Sequence, residues 1–529
     1  MASNRAPAND TEAARFLLRA KFSATPADIA DLRRLGYRGW LERQFASPRG
    51  QTGAEWLDSA GYDAITERGE YFWPQFGDHM IWNQLLAQPD EMRQRAAFSL
   101  SQFFVVSLNP IDGFWPPYML AGWWDVLARN AFGNFRTLLE EVTLNPAMGM
   151  YLNTLGNLKE DPATGRQPDE NYAREIMQLF TIGLYELNPD GTLKRDAAGN
   201  PIETYRQDDV TQLARVFTGY DRDMSRVERT DVAWLDYPVP SREFCRDPMV
   251  LDPAKHSALP VDVLGLHIPA GTDGRTALTM ALDHLFQHPN VGPFFGHQMI
   301  QRLVTSNPSP AYVARVAAAF DDNGEGVRGD LKAVWSAVLT DPEALAPSDP
   351  RTGGKLREPV LRYAGWARTV GIESDNGKWG IYDTSNAGQS LGQSPLRSPS
   401  VFNFFRPGYV PPQTAIAEAG MVAPEFQLAN ETSIAGYANF LQWAIHTGYA
   451  DVKPTYAAMM GFAHDAHEVV RWLNLHFTAD QLSPETCALI EGAVASLGVT
   501  ADSDAAHKRN ALASACLLVM CAPEYLVQK

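Results

Sequence analysis

Within DENYAREIMQLF, residues 169–180, Tyr172, Ile176, Leu179 and Phe180 recur at helical spacing and leave Asn171, Glu175 and Gln178 along the edge of the apolar stripe. A carboxyl at such a margin is partly desolvated, which raises its pKa toward that of a usable proton donor. The plainer reading of Glu175 is a structural acid held by hydrogen bonds. Glu170 and Arg174 fall on the other side, where an ion pair four residues apart contributes only about 0.2–0.5 kcal/mol.

A second acid lies in the next helical stretch, DDVTQLARVFTGY, whose buried face is Val210, Leu213, Ala214 and Phe217. Thr204 and Gln207 have the spacing of a capping box for it, and Gly219 can end it. Asp209 sits at one boundary of that face. The simple account is a capped helix with paired charges; the sharper one turns Asp209 toward Glu175 across a cleft. Two carboxyls whose environments separate their pKa values can divide acid and base roles in hydrolysis. With Asn171 and carbonyl oxygens they could also hold a hard cation, but the ordered ligand spacing of a calcium loop is missing and no metal is assigned.

Further candidates each carry an ordinary alternative. His256, in LDPAKH with Asp252, could relay a proton at neutral pH, or make a structural contact. His464, His467, Glu468 and His476 have a spacing that could place a pair on one zinc ion; helix-end hydrogen bonding explains them as well. Lys355, Arg357 and Glu358, then Arg397, Asn403 and Arg406, could hold an acidic substrate or bridge to the chain's many acids. Trp73, Trp115, Phe404 and Tyr409 could form a stacking rim, although each alone more often packs. The expected substrate contacts are Asn171, Gln178, Arg357, Arg406, Trp115 and Tyr409, around Glu175, Asp209 and His256 as catalytic groups. No glycine-rich phosphate loop follows a strand, and no GxSxG elbow is present.

The elements that must position these groups read as helices. Thr11 and Thr25 are placed to cap the first two, and residues 38–45 form a third. Further helices are expected over 89–106, partly buried because Arg93, Arg95 and Gln102 interrupt its apolar residues, and over 119–139, 171–184, 276–286, 293–303, 310–320, 433–446, 466–475, 484–494 and 505–520. Trp115 and Tyr118 fall on a loop between two of them. Turn sequences NPDG and AAGN make 185–205 a hairpin-like insertion. Residues 351–420, rich in Gly, Pro and Ser, form a long irregular region that must be pinned to the body. The fold class is mainly α: a large irregular multi-helical globular fold with long loops and a small β-hairpin insertion, one domain over 1–528.

Composition agrees with a folded globular chain: 529 residues, 45% hydrophobic and 20% charged. A net charge of -17 disfavours a surface that tracks nucleic-acid phosphates. The four scattered cysteines indicate neither a disulfide scaffold nor a thiolate metal cluster. No run of about 18 apolar residues offers a membrane span, and the start lacks a signal segment, which points to the cytoplasm.

The ordered blocks AARFLLRAKFSAT, GYRGWLERQF, NLKEDPATGRQPDENYAREIMQLFTIGLYE, DDVTQLARVFTGY and VFNFFRPGYVPP, with the closing APEYLVQK, resemble the bacterial domain-of-unknown-function 1800 family. The resemblance implies a largely helical protein, often encoded beside a sulfatase-like partner, with no biochemical activity to carry over; co-export to the periplasm with such a partner is part of the same expectation. The family's central block, Asn-Glu-Asn-Tyr-Ala-Arg-Glu, falls on residues 169–175, and Asp169 departs from it. Two functions are carried forward. One is an acid-based hydrolase of a polar, saccharide-like cell-envelope substrate; the other is a noncatalytic scaffold that presents the loop around Phe404 and Tyr409 to a partner.

Overall fold

The computed structural model describes residues 5–349 and 351–529. Three consecutive helices, Gln75–Ala87, Glu91–Ser101 and Pro116–Asn130, form the centre, and nearly every residue in them is buried. The partial burial expected for the middle one is therefore corrected. Its polar residues are inside because each finds a partner: Arg93 lies over the Phe132 ring and donates to the Ala128 carbonyl, and Arg95 donates to Ser99 and to the Arg302 carbonyl. Glu91 accepts from the backbone N–H groups of Phe22 and Ser23 and pairs with Lys21, so the N-terminal helices are tied to this centre through a satisfied buried charge.

Helix starts follow the caps. Asn9, not Thr11, accepts from the first turn of Asp10–Ala20. Thr25 and Asp28 form a reciprocal box before Pro26. The helical run 26–46 is broken at Gly36, whose φ of 70° is left-handed and where a Cβ would lie 3.3 Å from the Arg5 carbonyl oxygen, so 38–45 is a separate helix in effect. Ser309 and Ser483 cap helices that open on proline, Pro310–Asp321 and Pro484–Ala495. Trp115 and Tyr118 do not sit on an open loop. Trp115 is the N-cap of Pro116–Asn130, 1% exposed, and its indole N–H donates to the Pro240 carbonyl.

Strands are short and pair as five two-stranded antiparallel ribbons among the described residues, so they pin loops to the body without forming a sheet core. The hairpin-like insertion is held by isolated bridges, Tyr185 with Glu203 and Leu187 with Leu193, around the turns at 188–191 and 196–200. The irregular region 351–420 contains one full helix, Pro359–Val370. Its remainder is anchored by Arg397, which donates through Nε and Nη2 to both oxygens of buried Asp78 at 2.8 and 2.6 Å. The protein is thus a mainly helical, multi-helical fold with many loops and small antiparallel elements. Among the described residues no helix is long and apolar enough to cross a membrane, and the four cysteines are free thiols.

Candidate functional site

Glu175 lies on the short helix Asn171–Gln178, which ends sooner than its apolar period suggests because the chain turns through 179–183 to a left-handed Gly183. Tyr172, Ala173, Ile176 and Met177 are buried, and Glu175 beside them is 8% exposed. Neither carboxylate oxygen accepts a hydrogen bond from the described residues; Oε2 is fully enclosed. Burial pushes the carboxyl above the ordinary glutamate value, against a smaller downward pull from Arg174.

Its neighbours are hydroxyls. The charge of Glu175 acts on the phenols of Tyr151 and Tyr205. Tyr205 donates to the Gln178 side-chain carbonyl at 3.0 Å, which brings Gln178 into the same group. Tyr151 in turn faces Ser398, whose buried hydroxyl makes no close hydrogen bond. Behind Ser398 a small cavity is lined by Gln102, Gln393, Ser394 and Asn403 and has room for about one water molecule. Ser394 Oγ, Asn403 Nδ2 and Gln102 Oε1 are also buried without partners. Beneath it, fully buried Glu358 accepts from the side-chain amides of Gln102 and Gln393. The loop that supplies this wall holds Leu396 and Asn403 at φ of 54° and 62°. For leucine that conformation costs roughly 1–2 kcal/mol, retained where surrounding structure fixes the backbone.

Asp209 is not brought to this group. The helix Gln207–Ala214 meets its neighbour through Gln207 and Thr211, both of which donate to Glu170 at 2.7 Å. At 100° per residue, Asp209 is roughly 200° around from Gln207 and faces away. There its two oxygens accept from the N–H groups of Arg206 and Leu264, at 2.8 and 2.9 Å. The first bond makes Asp209 the acidic half of the helix cap, in place of the box expected from Thr204 and Gln207. Thr204 instead donates to the Gly183 carbonyl.

The other candidates disperse. His256 is buried against Gly274, and its Nδ1 lies 2.9 Å from the Thr218 carbonyl, a structural contact. Asn171, half-buried at the start of its helix, donates its backbone N–H to Asp169; an asparagine at 169 could accept that bond equally, so the departure there keeps the local turn. Arg357 is inside the protein, donating to the Phe477 carbonyl, and is no surface anchor for a substrate. Arg406 is exposed and stacks over Phe402, with Tyr409 half-buried nearby, donating its N–H to the Arg406 carbonyl. Buried Trp115 cannot form a rim with them. The histidine cluster separates as well: His467 pairs with Glu491, Glu468 with Arg471, buried His476 contacts the Ala24 carbonyl, and His464 is exposed. Among the described residues no three His, Cys, Asp or Glu side chains converge as a metal site.

A family model described as a protein of unknown function, DUF1800, matches residues 15–527. The chain belongs to that family. No curated protein and no solved structure matches it. In this DUF1800 protein Tyr151 and Tyr205, whose phenols feel the charge of Glu175, and Ser398 beside Tyr151 are residues that sequence reasoning missed. The signal for Ser398 was its place between Arg397 and Asn403 in a polar, proline-rich stretch; nothing local marked Tyr151.

Proposed function

We propose that this protein is an acid-based hydrolase of a polar, saccharide-like cell-envelope substrate, with Glu175 as its proton donor. The observation that carries this reading is a buried carboxyl, raised above its ordinary pKa, whose oxygens have no partner among the described residues. In the reaction the protonated carboxyl gives its proton to the departing oxygen as the bond to that oxygen breaks, and water adds to the carbon left behind. Gln178, held by the Tyr205 hydroxyl, would orient the substrate's hydroxyls. Asp209 has no part in this version, so the second role falls to a neighbouring group of the substrate itself, an arrangement some glycoside hydrolases use.

The test compares the protein with Glu175→Gln on aryl glycosides of graded leaving-group pKa and on cell-wall glycan. A proton donor matters most for poor leaving groups. The expected loss is about 10²–10⁴-fold on the least acidic leaving group and shrinks toward nitrophenol. Equal rates for both proteins on every substrate would overturn the reading.

A second reading is a noncatalytic scaffold for a sulfatase-like partner, favoured by Phe402 and Val410, which are 37% and 40% exposed on the segment around Tyr409. It requires that Phe402→Ala abolish co-purification with the partner while Glu175→Gln leaves it intact; retention after Phe402→Ala would exclude this docking segment.

A further inference from the structure

A second site, independent of Glu175, follows from two buried arginines that lack a counter-charge. Arg357 and Arg362 are each 7% exposed, and neither lies within ion-pair distance of a carboxylate among the described residues. Arg357 is partly satisfied by the Phe477 carbonyl and by the ring of Tyr525, 4.9 Å away. Arg362 has less. Its guanidinium stacks 5.0 Å from the Tyr437 ring and interacts with that residue's hydroxyl, and its Nε is buried without a partner. A cation–π contact recovers only part of the cost of taking an arginine out of water.

Arg362 faces a cleft of about 260 Å³. Its walls are almost wholly apolar, from Leu356, Leu391, Phe426, Leu428, Leu526 and Val527, and exposed Ile434 stands at its mouth. The other polar groups along it are Ser433 and Glu425, the latter with its Oε2 buried without a hydrogen bond. Ser433 donates its hydroxyl to the Leu428 carbonyl at 2.7 Å. Glu425 is paired with Lys355 at 2.8 Å, so the two cancel and Arg362 remains as the net charge. One buried cation at the wall of an aliphatic cleft is complementary to a molecule with one anionic end and one apolar chain.

We propose that this cleft binds a small apolar-chain monocarboxylate, its carboxylate on Arg362 and its chain along the aliphatic walls toward Ile434. The cleft has room for many more water molecules than the single-water cavity near Ser398, enough for a medium-length chain such as that of octanoate. Aromatic stacking holds the guanidinium in place before binding, so little side-chain freedom is lost when the carboxylate arrives.

The experiment is a calorimetric titration of the full chain with octanoate, octanol, octyltrimethylammonium and acetate. Octanoate binds; octanol and acetate, each lacking one half of the recognition, bind at least tenfold more weakly, and the cationic amphiphile does not bind. Arg362→Gln lowers octanoate affinity at least tenfold. Because that residue is buried, Ile434→Glu is the companion: the side chain is 65% exposed, the substitution leaves folding intact, and a carboxylate at the mouth repels the ligand to a similar degree. Absence of octanoate binding, equal affinity for octanol, or octanoate binding unaltered by Ile434→Glu would each overturn the assignment. So would a short apolar peptide with a free C-terminal carboxylate that binds where octanoate does not.

Discussion

Glu175 differs from the other buried glutamates in what its oxygens touch. Glu91 receives two backbone N–H groups and Lys21, Glu358 two side-chain amides, and Glu425 a lysine, whereas Glu175 has no donor among the described residues. Burial, only partly offset by Arg174, therefore sets its proton affinity, and the sign of the consequence is fixed. A carboxyl raised above its unfolded value binds its proton more tightly in the folded state, so it favours folding at low pH, and that contribution is lost as pH rises from the ordinary glutamate value through the raised one. Glu175→Gln removes the loss. Melting temperatures across pH 4–8 should show the variant gaining on the parent as pH rises; a gap that does not change with pH would mean the carboxyl titrates normally. The helix-edge position of Glu175 was legible in the sequence because it needs only the local apolar period. Tyr151, and Ser398 beside it, were not, since they come from distant segments whose placement depends on the whole packing.

The helices illustrate the limit on a larger scale. Thr25, Ser309 and Ser483 are caps that local chemistry alone selects, and the corresponding helices begin where a hydroxyl precedes proline. The second carboxylate failed for a geometric reason. Periodicity placed Asp209 at the margin of a buried face, but which margin meets the Asn171–Gln178 helix is decided by Gln207 and Thr211 reaching Glu170. Asp209 instead joins the helix start to the turn at Leu264. Asp209→Ala removes a cap and leaves the Leu264 N–H without its acceptor, so it should cost about 1–2 kcal/mol in a urea unfolding series. The same variant should leave any activity that depends on Glu175 unchanged. A selective loss of turnover with stability intact would restore Asp209 to the chemistry and show that the helix face had been misjudged.

At the scale of the molecule, the question is whether so many short helices and long loops form one cooperative unit. Contacts between distant segments lead us to propose that they do. The last strand, Val527–Gln528, pairs with Lys355–Leu356, Gln528 donates to the Leu303 carbonyl, and His476 reaches back to the Ala24 carbonyl. Tyr525 is the junction: it is 2% exposed, donates to the Arg362 carbonyl at 2.8 Å, packs on Phe477 and lies under Arg357. Tyr525→Ala opens a cavity and strips buried Arg357 of its aromatic contact, so it should cost about 3–5 kcal/mol, the range for truncating buried aromatics. How that loss appears tests the architecture. Of the buried tryptophans all but Trp472 precede residue 430, between Trp40 and Trp366, while far-UV circular dichroism reports every helix. In a single unit both signals of Tyr525→Ala move together to a lower midpoint. If the helices after residue 430 melted first and tryptophan fluorescence followed at the parental temperature, the terminal segment would be a separate module, and the cleft at Arg362 would lie at a boundary between modules where their relative motion could open it.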